Sequence, residues 1–190
     1  MNKIAQKFTI VFTSLVLSGF VGMFAEDKMD SRNELPTAGQ IEEAAKVPAK
    51  KEDLGKTLLS VFADKNQPAK KRIECALTLG KLKYLPAIPK LIELIELQDP
   101  EAVNLEPPLI EDRYPCIRAL ANYGEEGVPS IVEAYAKEDN GTRQRLLRTV
   151  IRVGKTRDAA ITLAKKLLSE KTDDRAKARL KALVDNLMKP

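Results

Sequence analysis

The chain has 190 residues, of which 44% are hydrophobic and 31% are charged, as is typical of a soluble globular or repeat protein. Histidine is absent, which excludes most familiar hydrolase mechanisms, because histidine is the commonest general base and metal ligand. The formal net charge of +5 is too mild to indicate a nucleic-acid partner.

The first 25 residues have the pattern of an export signal. Lys3 and Lys7 precede an uncharged, mostly apolar run over residues 8–25, and Ala25 with Met23 two positions before it fits a signal-peptidase site. We therefore predict a cleaved signal peptide over residues 1–25 and a periplasmic or secreted protein without stable membrane insertion. The alternative is an uncleaved N-terminal membrane anchor, for which a run of about 18 residues is marginal.

Residues 26–50 are predicted to form a flexible linker. The segment contains Pro36, Gly39 and Pro48 and has few apolar residues that could pack. It could include a helical turn near residues 41–46.

Residues 51–190 are predicted to form an all-helical domain. Ala, Leu, Lys, Glu and Arg dominate, and apolar residues recur at helical spacing in segments bounded by Pro, Gly, Asn or Asp. Eight helices are predicted, at residues 51–64, 68–82, 85–97, 113–124, 127–138, 141–154, 157–170 and 173–188.

Three of these helices end alike, with ALTLG at residues 76–80, LANYG at 120–124 and VIRVG at 150–154. Each is followed by another amphipathic helix, which indicates a repeated helix pair. Small residues allow stacked helices to approach closely, and a glycine just past a helix end can take the left-handed conformation that closes it.

These recurring helix ends resemble the HEAT-repeat family, in particular the short bacterial type that is also found in phycobilisome-lyase-like proteins. The resemblance covers about residues 54–188. It implies an all-α, right-handed α-solenoid of about four HEAT-like helix pairs, with the second helices lining a concave face. It implies a scaffold and no particular chemistry, because such repeats serve mainly as binding surfaces.

The predicted second helices are rich in Lys and Arg. Arg145, Arg148 and Arg152 fall at positions i, i+3 and i+7, so that they form one stripe beside an apolar helix face. The stripe predicted to bind a partner consists of Lys71, Arg118, Arg145, Arg148, Arg152, Arg175 and Arg179. Such a stripe would favour an acidic peptide, an anionic glycan or a phosphate. The alternative is an ordinary solvated face, whose arginines pair with aspartates in the turns.

The segment 98–112 interrupts the repeat, which otherwise needs only a short turn. It is acidic and carries Leu105, Leu109 and Ile110, which could dock a partner. A loop that folds back on the helices without a binding role is the alternative, since long surface loops are readily tolerated.

Cys75 and Cys116 are the only cysteines, and both are predicted on second helices of neighbouring pairs. They could form a disulfide in an oxidising compartment, or they could be two buried free thiols. Catalytic thiol chemistry is not expected, because the chain has neither histidine nor a Cys-X-X-Cys motif. We predict no catalytic residue, no metal site and no cofactor.

Together these features favour an exported, non-catalytic binding or scaffold protein that holds a protein partner, acidic if the basic stripe is the contact. One alternative is an enzyme-associated accessory factor that cradles a substrate or chromophore. Another is a self-assembling structural component of the cell envelope. Nucleic acid is not expected as a partner, because the stripe lacks the interleaved aromatic residues on which bases stack.

Overall fold

A computed structural model describes residues 35–102, 109–170 and 173–189. Within these ranges the structure is helical and contains no strand, which confirms the predicted all-α class. The described residues belong to a compact unit that begins at Leu35. The predicted signal peptide lies outside them, as do residues 26–34 of the predicted linker.

Ten α-helices are described, together with short 3-10 turns. In chain order the α-helices are α1 (Ala38–Lys46), α2 (Pro48–Ala63), α3 (Ala69–Leu82), α4 (Ile88–Glu93), α5 (Ile110–Arg113), α6 (Pro115–Ala121), α7 (Val128–Lys137), α8 (Gly141–Val153), α9 (Arg157–Glu170) and α10 (Asp174–Met188). Among the residues covered, no helix combines the length and the apolar character that a membrane span requires.

The prediction of a flexible linker is wrong for residues 35–50, which are mostly helical. α1 starts at a capping box, in which the Thr37 N–H donates to the Gln40 side chain at 2.8 Å and the Thr37 hydroxyl accepts from the Gln40 N–H at 3.4 Å. Ile41 and Ala44, three residues apart, pack against the core. Pro48 does not end a segment but begins α2, where its missing N–H costs nothing.

Two predicted helices are divided in the structure. The segment predicted at 85–97 is a 3-10 turn over Leu85–Ala87 followed by the short α4. The segment predicted at 113–124 contains the end of α5 and all of α6, separated at Tyr114, which has ψ of 81°. Tyr114 leaves the helical region because the ring of the following Pro115 clashes with a helical backbone at that position.

Three of the four predicted second helices pack in series, with α3 against α6 and α6 against α8. Their contacts are apolar and include the fully buried side chains of Leu79, Leu120 and Leu147. The fourth, α10, makes its main contacts with α9 and α7. The positions of α3, α6 and α8 decide which side chains of these helices face outward.

The three recurring glycines differ in conformation. Gly124 has φ of 61° and takes the predicted left-handed conformation. Gly80 lies within α3 and Gly154 has φ of −73°, while the left-handed residues that follow them are Lys83 and Lys155. At residues 80 and 154 glycine is needed for packing instead, because a β-carbon at either position would contact the backbone of α6.

Candidate partner-binding surface

α8 carries the central part of the predicted basic stripe. The helix is capped by the Asn140 side chain, which accepts from the Thr142 N–H at 2.8 Å and from the Arg143 N–H at 3.2 Å. One face of α8 is buried in the core through Leu146, Leu147, Val150 and Ile151. Because the helix is fixed in this rotation, the residues beside its apolar face are directed to the surface.

Arg145 and Arg152 are exposed and Arg148 is half-buried, and we call these three residues the α8 basic surface. None of them forms an ion pair with a carboxylate in the described part of the chain. Arg152 donates one hydrogen bond, to the Asn186 carbonyl at 3.3 Å. The α8 basic surface therefore carries three arginines that form no ion pair within 4.0 Å with the carboxylates the structure describes.

Two other members of the predicted stripe follow the alternative interpretation. Arg118 on α6 pairs with Asp112. Arg179 on α10 pairs with Asp139 and donates to the Ala136 carbonyl at 3.0 Å, at the end of α7. These two guanidinium groups are engaged by contacts within the chain and are less available to a partner.

Lys71 and Arg175 complete the predicted set. Lys71 is half-buried on α3, and its charge acts on the nearby Cys75 thiol. Arg175 is exposed in the first turn of α10, where its backbone N–H donates to the capping carboxylate of Asp173 at 3.2 Å. Of the seven predicted residues, the three arginines on α8 are the ones that share a single surface.

Sequence reasoning missed the role of Arg143, which lies at the start of α8. Its side chain donates to Glu138 at 2.7 Å, and also to the carbonyls of Ile92 at 3.0 Å and Glu93 at 3.2 Å. Those carbonyls are at the C-terminal end of α4, where the Ile92 carbonyl also accepts the Ile95 N–H at 3.3 Å. Arg143 therefore joins α8 to α4 and does not contribute to the partner-binding surface.

The signal that could have identified this role is the recurrence of Arg near the start of second helices. Arg72 at the start of α3 donates to the Phe62 carbonyl at the end of α2, at 3.0 Å. Arg143 and Arg179 reach the ends of α4 and α7 in the same way. A repeated arginine thus caps the C-terminal end of a first helix in three places.

In the structure both cysteines are free and fully buried. The Cys116 thiol donates to the Leu94 carbonyl at 3.3 Å. Burial raises the pKa of Cys75 to about 11 and that of Cys116 to about 12. Thiols with such pKa values stay protonated near neutral pH and are poor nucleophiles.

The insertion at 98–112 is described only in part. Residues 103–108, and with them Leu105, lie outside the described ranges. Leu109 is 59% exposed, whereas Ile110 is half-buried and packs against the core. No group of three or more Cys, Asp or Glu side chains in the described segments has the arrangement of a metal site.

A known family of repeats is similar to part of the chain. The family model described as PBS lyase HEAT-like repeat matches residues 71–97, which run from α3 through α4. No curated protein and no solved structure matches the chain significantly. HEAT-like repeats generally mediate protein–protein interaction. The match confirms the predicted resemblance over residues 71–97, which are similar to a HEAT-like repeat of the PBS lyase type.

Proposed function

We propose that this protein is an exported, non-catalytic scaffold that holds an acidic protein partner against the α8 basic surface. In this proposal the helices continue the HEAT-like repeat of residues 71–97 as a right-handed solenoid of about four pairs. The export signal over residues 1–25 would deliver it to the periplasm or the medium. The partner would meet a preformed, rigid surface and would not need to reorganise it.

The observation that carries the proposal is the charge on α8. The helix has four arginines and no acid, and Arg145, Arg148 and Arg152 form no ion pair with a carboxylate among the residues described. Three positive charges held beside each other raise the local concentration of an acidic partner and speed its association. Arginine also pairs with carboxylates through two parallel hydrogen bonds, which adds geometric specificity.

A non-catalytic role is supported by the residue inventory and by the burial of the nucleophiles. The chain contains no histidine, and its two thiols are buried, with pKa values raised to about 11 and about 12. The HEAT-like repeat supplies a surface and no reactive group.

The experiment that tests the proposal is partner capture from the native envelope fraction, using chain that begins at Glu26. The triple variant Arg145→Glu/Arg148→Glu/Arg152→Glu is compared with wild type. A control variant, Lys81→Glu/Lys165→Glu/Lys181→Glu, makes the same change in charge at exposed residues of other helices.

We expect one protein to be recovered with wild type and with the control variant, and to be lost with the α8 variant and at high salt. Circular dichroism should show the same helical content for all three proteins. Equal capture by the α8 and control variants would exclude the α8 basic surface as the contact.

A further inference from the structure

A cleft of about 300 Å³ lies between α3, α6 and the two described ends of the insertion. Its apolar lining comes from the side chains of Ile73, Leu77, Ala102 and Pro115. Ile73 and Ala102 are only 5% and 4% exposed and Pro115 is also buried, so that the half-buried Leu77 is the most accessible apolar side chain of the cleft. The cleft is at the lower end of the size range of ligand pockets, about 300–1,000 Å³, and would hold one or two side chains.

The charged residues that line this cleft are mostly acidic. They are Asp99, Glu101, Glu111, Asp112 and Arg118. Arg118 is already paired with Asp112, and Glu101 pairs with Lys70 at 3.3 Å, in an exposed geometry that stabilises little. Glu111 has no ion pair with a basic residue in the described ranges. The cleft therefore carries a net negative charge over an apolar lining.

The rim of the cleft is fixed by hydrogen bonds from the insertion. The Asp99 N–H donates to the Arg113 carbonyl at 3.0 Å, which holds the beginning of the insertion against its end. The Asp99 carboxylate accepts from the Glu101 N–H at 2.9 Å. These bonds fix the Asp99 carboxylate and the backbone of residues 99–101 at the edge of the cleft.

A metal ion does not suit this arrangement, because the acidic side chains are not grouped as three or more ligands anywhere in the part of the chain described. An apolar lining with a negative rim is instead complementary to an apolar side chain flanked by lysine or arginine.

We propose that the cleft between α3, α6 and the two described ends of the insertion docks a basic peptide segment of a protein partner, with an apolar side chain on Leu77 and flanking cations at Glu101 and Glu111. This site goes beyond the proposed function, because it shares no residue with the α8 basic surface and has the opposite charge.

The test is fluorescence anisotropy of a labelled peptide, Gly-Lys-Leu-Lys-Leu-Lys, with the chain from Glu26 at low salt. Glu101→Gln/Glu111→Gln removes two rim charges with little change in shape. Glu125→Gln/Glu126→Gln is the matched control, since these two glutamates are exposed in the turn before α7. A second peptide, Gly-Lys-Ser-Lys-Ser-Lys, has the same charge but no leucine. It tests the apolar contact without any change to the protein.

We expect the rim variant to bind the leucine peptide about fivefold more weakly than wild type, and the control variant to bind like wild type. The serine peptide should also bind more weakly. Equal weakening in both variants, equal affinity for the two peptides, or no binding at millimolar peptide would overturn the proposal. Self-association that is lost in the rim variant, seen by sedimentation without peptide, would overturn it in favour of a second copy. The peptide experiment does not involve the α8 basic surface. Its outcomes are therefore read in the same way whether or not the α8 variant still captures a partner.

Discussion

Gly80 on α3 lies directly against the backbone of Ala119 on α6, so closely that a β-carbon at position 80 would be 2.7 Å from the Ala119 α-carbon. The obstacle is backbone and cannot rotate away. We therefore expect Gly80→Ala to lower the free energy of unfolding by about 1–3 kcal/mol, as overpacked cores do. Urea unfolding followed by circular dichroism measures this change.

Gly141→Ala is the control for this prediction. Gly141 is exposed at the start of α8, and nothing lies within 4 Å of a β-carbon built there. Alanine favours helix over glycine, so the variant should be unchanged or more stable by up to about 1 kcal/mol. Equal stability of the two alanine variants would show that α3 and α6 are not packed as closely as described.

Tyr123 joins the end of α6 to the turn after α3. Its buried hydroxyl shares its one hydrogen between the Tyr84 carbonyl at 2.9 Å and the Leu79 carbonyl at 3.2 Å. Both carbonyls also accept a backbone N–H, so that Tyr123→Phe leaves neither without a partner. We expect the variant to lose only about 1 kcal/mol of unfolding free energy.

The control for Tyr123→Phe is Tyr114→Phe. The Tyr114 hydroxyl accepts one long hydrogen bond, of 3.4 Å, from the side chain of the exposed Gln98. This change should cost less than about 0.5 kcal/mol. Denaturation midpoints measure the stability of both variants. A larger loss of stability in Tyr114→Phe than in Tyr123→Phe would contradict the hydrogen bonds assigned to the Tyr123 hydroxyl.

Local patterns were enough to predict the all-helical class and most of the helices, because helix periodicity and helix ends are short-range signals. α8, α9 and α10 lie within one residue of their predicted limits at each end. The helix at residues 38–46 was predicted only as a possible turn within a linker, because Ile41 and Ala44 pack against the core through neighbours that are distant in sequence. The segment predicted at 113–124 has a continuous apolar pattern, but Pro115 divides it between α5 and α6.

The candidate site was harder to predict, because an arginine on a helix surface has the same local pattern whatever it contacts. Arg118 and Arg179 belong to the predicted stripe, yet each pairs with an aspartate, Asp139 being 40 residues from Arg179 along the chain. Arg145 has no such partner among the residues described. The difference depends on tertiary contacts, which periodicity does not specify.

The thiols give a chemical test of the core. Cys75 and Cys116 are fully buried, and burial raises their pKa values to about 11 and about 12. At pH 8 we expect neither to react with Ellman's reagent in the native protein, and both to react in guanidinium without reductant. The absence of reactive thiols in the unfolded, unreduced chain would instead show a disulfide.

The export signal can be tested on the protein isolated from its native cells. Cleavage after Ala25 would leave Glu26 as the first residue, with a net charge two units lower than that of the full chain, since Lys3 and Lys7 are removed. Intact-mass analysis of the soluble extracellular and periplasmic fractions should find this species. Full-length protein confined to the membrane fraction would support the uncleaved anchor.

The bond between Arg143 and Glu138 should make stability depend on pH in acid. Burial alone would raise the pKa of Glu138, but hydrogen bonds from the Arg143 side chain and the Asn140 N–H outweigh it and lower that pKa below its ordinary 4.5. A lowered carboxyl pKa gives stability that is present above the pKa of the unfolded chain and is lost as pH falls through the pKa of the folded protein.

Arg143→Met should lower the free energy of unfolding by about 2 kcal/mol at pH 7, because charged hydrogen bonds are lost. Below pH 4.5 the difference from wild type should narrow as Glu138 is protonated, without vanishing, since Arg143 still donates to the Ile92 and Glu93 carbonyls. Arg145→Met is the control, because Arg145 is exposed and has no ion pair in the described ranges, and its small effect should not vary with pH. Unfolding by urea at pH 3 to 7 measures both variants, and a constant difference between wild type and Arg143→Met over that range would show that Glu138 is not held by this bond.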